Sequence, residues 1–333
     1  MNRIITLDVA KAICIILVVI GHYIPDNSPI WYVMLHDVIY TFHMPLFMFA
    51  SGYIYIATKK NIGYGAFLWK KVKRLMIPYL TTSVLVITIK LFTQGTMSVD
   101  APVSVMSYVR MFYLPEAGAF LWFIWALWWM FVIVPLLKTK RTRTLFFLIC
   151  LVVHFVPMDL PREFCIAQCK HMFVYFMLGI FVFEHRLLQQ WMIIYKPMLA
   201  ILSVLLFCIF ESWFVIKSID ESNLLILNAI LPFLGIFFVV ELSKLIATCC
   251  NKKIDALFVV ISSSSYIIYL FHTTFEGFAK AVFRKLPFNS DLWYVFMPEA
   301  LGAILAGILA PMILHLAVLK RWQLTRLLFG LGK

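Results

Sequence analysis

The sequence predicts an all-α, polytopic membrane protein of about ten transmembrane helices, and three observations predict it. Hydrophobic residues make up 63% of the 333 and charged residues only 14%, whereas soluble domains are about half apolar and a quarter charged. The apolar residues are gathered into runs of the roughly 17–25 residues that cross a bilayer. Lys and Arg alternate in density from loop to loop, with twenty on the side of the N-terminus and seven on the other.

Taken in order, the runs predict helices over 4–24, 33–57, 75–93, 120–137, 144–157, 170–185, 197–217, 224–246, 255–275 and 293–319, the fifth and sixth being short. The first has neither a basic region before it nor an A-x-A-like cleavage site after it, so it reads as a retained span. Basic loops mark the cytoplasmic side. That side holds Arg3, the six basic residues from Lys59 to Arg74, the four from Lys138 to Arg143, Arg186 and Lys196. It continues through Lys244, Lys252 and Lys253 to Lys320, Arg321, Arg326 and Lys333. Lys217 belongs to the sparser outer set. Both termini are thus expected in the cytoplasm, in a multi-pass protein of the cell inner (cytoplasmic) membrane. No linker or fixed-period repeat divides the chain, so one integral-membrane domain is expected over 1–333, with no additional soluble domain. The net charge of +13 follows from basic loops beside anionic lipid. It does not point to nucleic acid, since no part of the predicted architecture lies outside the bilayer to bind one.

Seven cysteines, Cys14, Cys150, Cys165, Cys169, Cys208, Cys249 and Cys250, fall mostly within apolar runs, where a thiol is a small apolar side chain. Cys165 and Cys169 stand four apart in an expected outer loop, positioned to pair in an oxidising compartment. No zinc-ligand spacing accompanies them, and no metal site is expected.

The first helix carries the chemistry. Asp8, Lys11 and His22 interrupt an otherwise apolar run, and ionisable groups inside a membrane segment are functional candidates by default. At about 100° per residue, Lys11 and His22 share one face, roughly 16 Å apart along the axis. Asp8 lies three residues before Lys11 on that face, within pairing distance. In the second helix His43 falls near mid-depth beside Pro45, which removes a backbone donor and is expected to kink the helix. Ser51-Gly52-Tyr53 follows, its small residues allowing close approach of a helix or a ligand. The ninth helix places Tyr266, Tyr269 and His272 at three-residue spacing on one face. Three histidines from three helices thus converge on the middle-to-outer half of the bilayer, while Lys70, Lys71, Lys73 and Arg74 cluster in the inner loop before Pro78-Tyr79.

Each feature also has a plain structural reading. His22 can be a satisfied core histidine, and Asp8–Lys11 a buried pair or a lysine snorkelling to headgroups. The Lys70–Arg74 cluster can be a topological anchor, Trp122-Phe123 part of an aromatic belt, and Tyr266 with Tyr269 ordinary packing. A neutral buried imidazole, however, is what a general base acting on a hydroxyl requires, and clustered cations suit phosphates. No glycine-rich phosphate loop, nucleophile elbow or H-E-x-x-H helix is present.

In order along the chain, Asp8, Lys11 and His22, then Phe42-His43-Met44-Pro45-Leu46-Phe47 with Ser51-Gly52-Tyr53, Arg74 with Pro78-Tyr79, Leu121-Trp122-Phe123 and Ser265-Tyr266-Ile267-Ile268-Tyr269-Leu270-Phe271-His272 resemble the motifs of the acyltransferase 3 family. The likeness is to its compact branch, the fucose 4-O-acetylase-like polysaccharide O-acetyltransferases. Lys11 stands where the family typically has Arg, keeping the charge but losing the bidentate fork. The resemblance implies transfer of an acyl group, usually acetyl, from cytoplasmic acyl-CoA to a hydroxyl of a cell-surface or lipid-linked glycan. It implies His22 as catalytic base, with Asp8, His43 and His272 at the same centre. Lys11, Lys70, Lys71, Lys73, Arg74, Ser51 and Tyr79 are expected toward acetyl-CoA, and Trp122, Phe123, Tyr266 and Tyr269 toward the acceptor. The competing expectations are a proton-coupled transporter or flippase of a polysaccharide pathway, a non-catalytic partner in such a pathway, or a donor such as succinyl-CoA.

Overall fold

A computed structural model describes residues 5–25, 28–95, 101–187, 197–216, 221–249, 251–285 and 293–331. Arg3, Lys196, Lys217, Cys250 and Lys333, used in the loop-charge and cysteine readings, lie outside the described residues.

The described chain is helical throughout. The principal helices are α1 (Ile5–His22), α2 (Ile30–Ala57), α3 (Tyr64–Thr93), α4 (Ala119–Leu136), α5 (Lys140–Phe155), α6 (Glu163–Glu184), α7 (Pro197–Ile216), α8 (Glu221–Cys249), α9 (Lys252–Phe283) and α10 (Trp293–Ile313). A short helix α11, Gln323–Leu328, closes the chain. Each predicted apolar run coincides with one of the first ten. Among the described residues, eight helices are long and apolar enough to cross a membrane. The other two fall short: α5 has 16 residues, about 24 Å, and α7 has an apolar stretch of Ile201–Ser212.

Three boundaries differ from expectation for physical reasons. The cationic cluster is not in a loop. Helix α3 begins at Tyr64, and Lys70–Arg74 belong to it, with Val72–Met76 wound as a π turn between α-helical segments. Lys and Arg are good helix formers, and Lys71 gains a partner there, its Nζ lying 3.4 Å from the centre of the Phe131 ring. Helix α2 runs on through Pro45 without interruption. Helix α6 starts earlier than its apolar run, at a turn where Phe164 and Cys165 adopt left-handed backbone angles, each with φ of 55°. That turn is held by Phe164 N–H donating to Tyr113 O (2.7 Å) and by Trp129 Nε1 donating to Phe164 O (3.0 Å). Cys165 and Cys169 remain separate, buried free thiols.

Helix α1 forms the middle of the bundle, flanked by α2, α8, α9 and α10. Its residues Val9, Ala12, Ile15, Val18 and Val19 are fully enclosed. At one level Ser262 of α9 donates to Asp8 Oδ1 (2.6 Å), and further along His22 meets His272. Helices α1 and α9 therefore run in the same direction. Helices α2 and α6 are pressed together through two glycines. A Cβ on Gly52 would lie 1.9 Å from Phe176 O, and one on Gly179 would lie 2.1 Å from Phe49 O. The small-residue contact expected at Ser51-Gly52 is thus a helix crossing, and it fixes the frame on which His43 sits.

Candidate active site

His22 is the last residue of α1 and is half-buried. Its ring centre lies 5.0 Å from that of His272 and 5.9 Å from that of Phe120. Its Nδ1 is 3.3 Å from the Tyr40 hydroxyl. Tyr40 in turn lies against His43, with ring centres 4.8 Å apart, and against His36 at 4.1 Å. Tyr40 is 42% exposed, so the cluster reaches the surface of the bundle through its ring. The three histidines expected to converge are therefore linked, His22 to His272 directly and His22 to His43 through Tyr40.

The protons on two of these rings follow from their partners. Nδ1 of His272 lies 2.9 Å and 3.1 Å from the backbone oxygens of Tyr269 and Ile268. Carbonyl oxygens only accept, so Nδ1 carries the hydrogen, and in the neutral ring Nε2 keeps a lone pair. That Nε2 is buried and has no hydrogen-bond partner. His43 is fixed in the same tautomer, its Nδ1 donating to Ile39 O at 2.7 Å. A buried acceptor with nothing to accept from is costly. His272 Nε2 is thus an open acceptor, able to take a hydrogen bond from a donor such as a hydroxyl.

Tyr269 forms the floor of this centre. Its hydroxyl donates to Phe120 O, and its ring centre lies 5.5 Å from those of both Phe120 and Phe123. Phe123 is buried against Phe47, while half-buried Trp122 leans on Phe123. Tyr266, one turn back along α9, has a buried hydroxyl without a partner. Trp122, Phe123 and Tyr269, three of the four residues expected near the acceptor, therefore share one aromatic wall with Phe120, Trp122 standing at its edge.

The cations expected to meet phosphates stand apart, at the start of α3. Lys70 and Arg74 are exposed, and Lys73 reaches over Trp69 at 5.7 Å. Lys71 is instead tied to the Phe131 and Phe67 rings. Arg74 carries a second contact: at Gly330, whose φ is +65°, a Cβ would come within 2.9 Å of Arg74 O. The C-terminal turn is thereby seated on the π turn, and Phe329 beside it is buried against Phe271. Tyr79, fully buried, follows on the same helix and binds Met111 O (2.6 Å) and Leu114 O (3.0 Å). Asp8, bound to Ser262, and half-buried Lys11 lie toward the end of α1 opposite His22. Ser51 is half-buried on α2, next to the Gly52 crossing. Among the described residues no three of His, Cys, Asp and Glu converge as a metal site would require.

Sequence reasoning did not single out Tyr40 or Phe120, which join the histidines. Tyr40 sits three residues before His43, one helical step on the same face, and that spacing was the available signal. Phe120 carried none, because only the meeting of α4 with α1 and α9 gives it neighbours.

Helices of bilayer length around a cluster of histidines, with a cationic helix turn at another level, define a polytopic membrane protein. A family model described as an acyltransferase domain matches residues 4–316, and the chain belongs to this acyltransferase 3 family. Among curated proteins it is similar to the nodulation protein NolL of Mesorhizobium japonicum, 26% identical over 222 residues that cover 64% of this chain and 57% of the relative. It is also similar to NolL of Sinorhizobium fredii, 28% identical over 196 residues, 57% of this chain and 51% of the relative. The match thus spans little more than half the length of these relatives. No solved structure matches the chain.

Proposed function

We propose that this chain moves an acyl group, acetyl in the first instance, from cytoplasmic acyl-CoA to a hydroxyl of a cell-surface or lipid-linked glycan. In this reading the chain lies in the inner membrane with both of its ends toward the cytoplasm, and the anionic head of CoA meets Lys70, Lys73 and Arg74. The thioester reaches the level of His22 and His272. The observation that carries the reading is the contact of the His22 and His272 rings at 5.0 Å, beside an unpartnered Nε2, inside a member of an acyltransferase family.

The chemistry follows from those groups. His22 takes the proton of the acceptor hydroxyl as its oxygen attacks the thioester carbonyl. The tetrahedral intermediate collapses, the C–S bond breaks, and the CoA thiolate recovers the proton from the His22 imidazolium. No net proton is released. His272 Nε2 accepts from a second hydroxyl of the glycan and so orients the attacking one, while His22 Nδ1–H donates to the Tyr40 oxygen and leaves His22 Nε2 as the base. Lys11 and Asp8 belong to the donor side of the same stripe on α1.

The test is acyl transfer by purified full-length protein in lipid nanodiscs, with acetyl-CoA and succinyl-CoA as donors, together with mass spectrometry of surface glycans from cells with and without the gene. Loss of one acetyl mass per repeat unit in the deletion strain is expected. Glycans of identical mass in the two strains would defeat the acceptor class. Uptake of a glycan into proteoliposomes without covalent change would favour a transporter instead.

A further inference from the structure

Hydroxyls in a membrane helix ordinarily satisfy themselves on the carbonyl one turn back. On α3, Thr88 does so with Val84 O at 2.7 Å, and Thr93 with Ile89 O at 2.9 Å. Thr82 and Ser83 on the same helix do not. Both are fully buried, and neither Thr82 Oγ1 nor Ser83 Oγ has a hydrogen-bond partner. Trp125 of α4, also buried, has an indole N–H in the same condition. Ser83 and Trp125 lie beside the Tyr79 hydroxyl without a well-formed bond to it, the Tyr79 and Trp125 ring centres being 5.7 Å apart. The single Tyr79 proton is already committed to the carbonyls of Met111 and Leu114. The Tyr79 oxygen can only accept from Ser83 and Trp125, and neither group reaches full hydrogen-bond geometry, so a polar node with incompletely used groups is held inside an otherwise apolar interior.

Its position gives it a meaning. Ser83 lies nine residues beyond Arg74, roughly 13 Å along the helix. Along α4, Trp125 stands between Phe131, which Lys71 meets, and Phe120, which lies beside His22. The node thus lies on the way from the cationic turn to the histidines. A donor entering there carries its head phosphates, then a pantetheine arm with two amides, then the thioester. Amides moved into an apolar interior need hydrogen-bond partners.

We propose that Ser83 and Trp125, gathered at the Tyr79 hydroxyl, hold the pantetheine arm of the acyl-CoA donor by hydrogen-bonding its amides. Ser83 Oγ accepts from an amide N–H or donates to an amide carbonyl, and Trp125 Nε1 donates to a carbonyl. Thr82 and the Tyr266 hydroxyl are the further partnerless groups nearby on α3 and α9. This inference rests on the acyl-CoA reading above.

The experiment compares two probes on the full-length protein in nanodiscs by calorimetric titration. Acetyl-CoA carries the arm, and adenosine 3′,5′-bisphosphate carries the nucleotide head without it. Ser83→Ala and Trp125→Phe each remove one polar atom and keep most of the volume. Each is expected to weaken acetyl-CoA about tenfold and to leave the bisphosphate unchanged. Unchanged acetyl-CoA affinity in both variants, or parallel weakening of both probes, overturns the inference while the donor reading stands. A wild-type protein that binds neither acetyl-CoA nor the bisphosphate overturns the donor reading and the inference with it. The mild Ser83→Ala change decides the matter if Trp125→Phe fails to fold.

Discussion

The two polar levels of this bundle solve opposite problems. At the His22 level the groups are imidazoles lined by aromatic rings: His43 and His272 are buried, their Nδ1 protons fixed by backbone carbonyls. At the Arg74 level the groups are cationic, and Lys70 and Arg74 are presented outward, Arg74 on the π turn and Lys70 just before it. A base gains from being kept neutral beside its target, because a buried imidazole avoids the cost of standing charged in a low-dielectric medium. A phosphate site gains from cations that stay charged and reachable, which requires water or headgroups nearby. In the proposed reading, the bundle serves an anionic donor and a proton transfer by separating them along its axis.

The comparison is broken most severely by His22→Ala. Loss of a general base costs roughly 10²–10⁴-fold in rate, so acyl transfer should fall about a thousandfold while acetyl-CoA titration stays as in the wild type. Normal acceptor modification by this variant would remove His22 from the mechanism. Next in size is the double change Lys73→Ala with Arg74→Ala, expected to weaken acetyl-CoA about a hundredfold, with a salt dependence shallower than that of the wild type. Salt-insensitive, wild-type affinity would make the cluster a topological anchor alone.

His272→Gln sharpens the upper level. Glutamine is polar but does not reproduce the fixed Nε2 lone pair, so turnover should fall about tenfold with little change in donor affinity. A larger effect on acetyl-CoA binding than on turnover would move His272 to the donor side. The smallest chemical effect belongs to Gly52→Ala, far from any reacting group. Its new methyl would sit 1.9 Å from Phe176 O, so α2 and α6 must separate, at a cost of roughly 1–3 kcal/mol. The melting temperature should drop, and both levels should lose activity in the same proportion. Selective loss of donor binding would show that Ser51 and Gly52 meet the ligand directly.

Legibility in the sequence varied with the range of the interactions. The apolar runs were readable because each is a local property, a stretch of residues long enough to satisfy every backbone group inside lipid. The placement of Lys70–Arg74 was not, since a charge-rich stretch reads as a loop until Lys71 is seen against Phe131 on another helix. Among the histidines, His22, His43 and His272 could be put at one depth by counting along three helices. His36 looked unremarkable until the fold set it against Tyr40. Ser83 and Trp125 were invisible, because a lone serine or tryptophan in an apolar run announces nothing; only the absence of a partner sets them apart.

By itself, the amino-acid order determined that this is a polytopic all-α membrane protein, which helices carry the ionisable groups, and how high along its helix each group stands. Those quantities depend on composition and on a fixed rise per residue. Only the tertiary structure decided which helices meet: that α1 lies beside α9 so that His22 faces His272, that Phe120 closes the same centre, and that the C-terminal turn rests on the Arg74 backbone. Rotation of a helix about its axis and its choice of neighbours are set by side-chain packing between segments hundreds of residues apart, and no local periodicity encodes that.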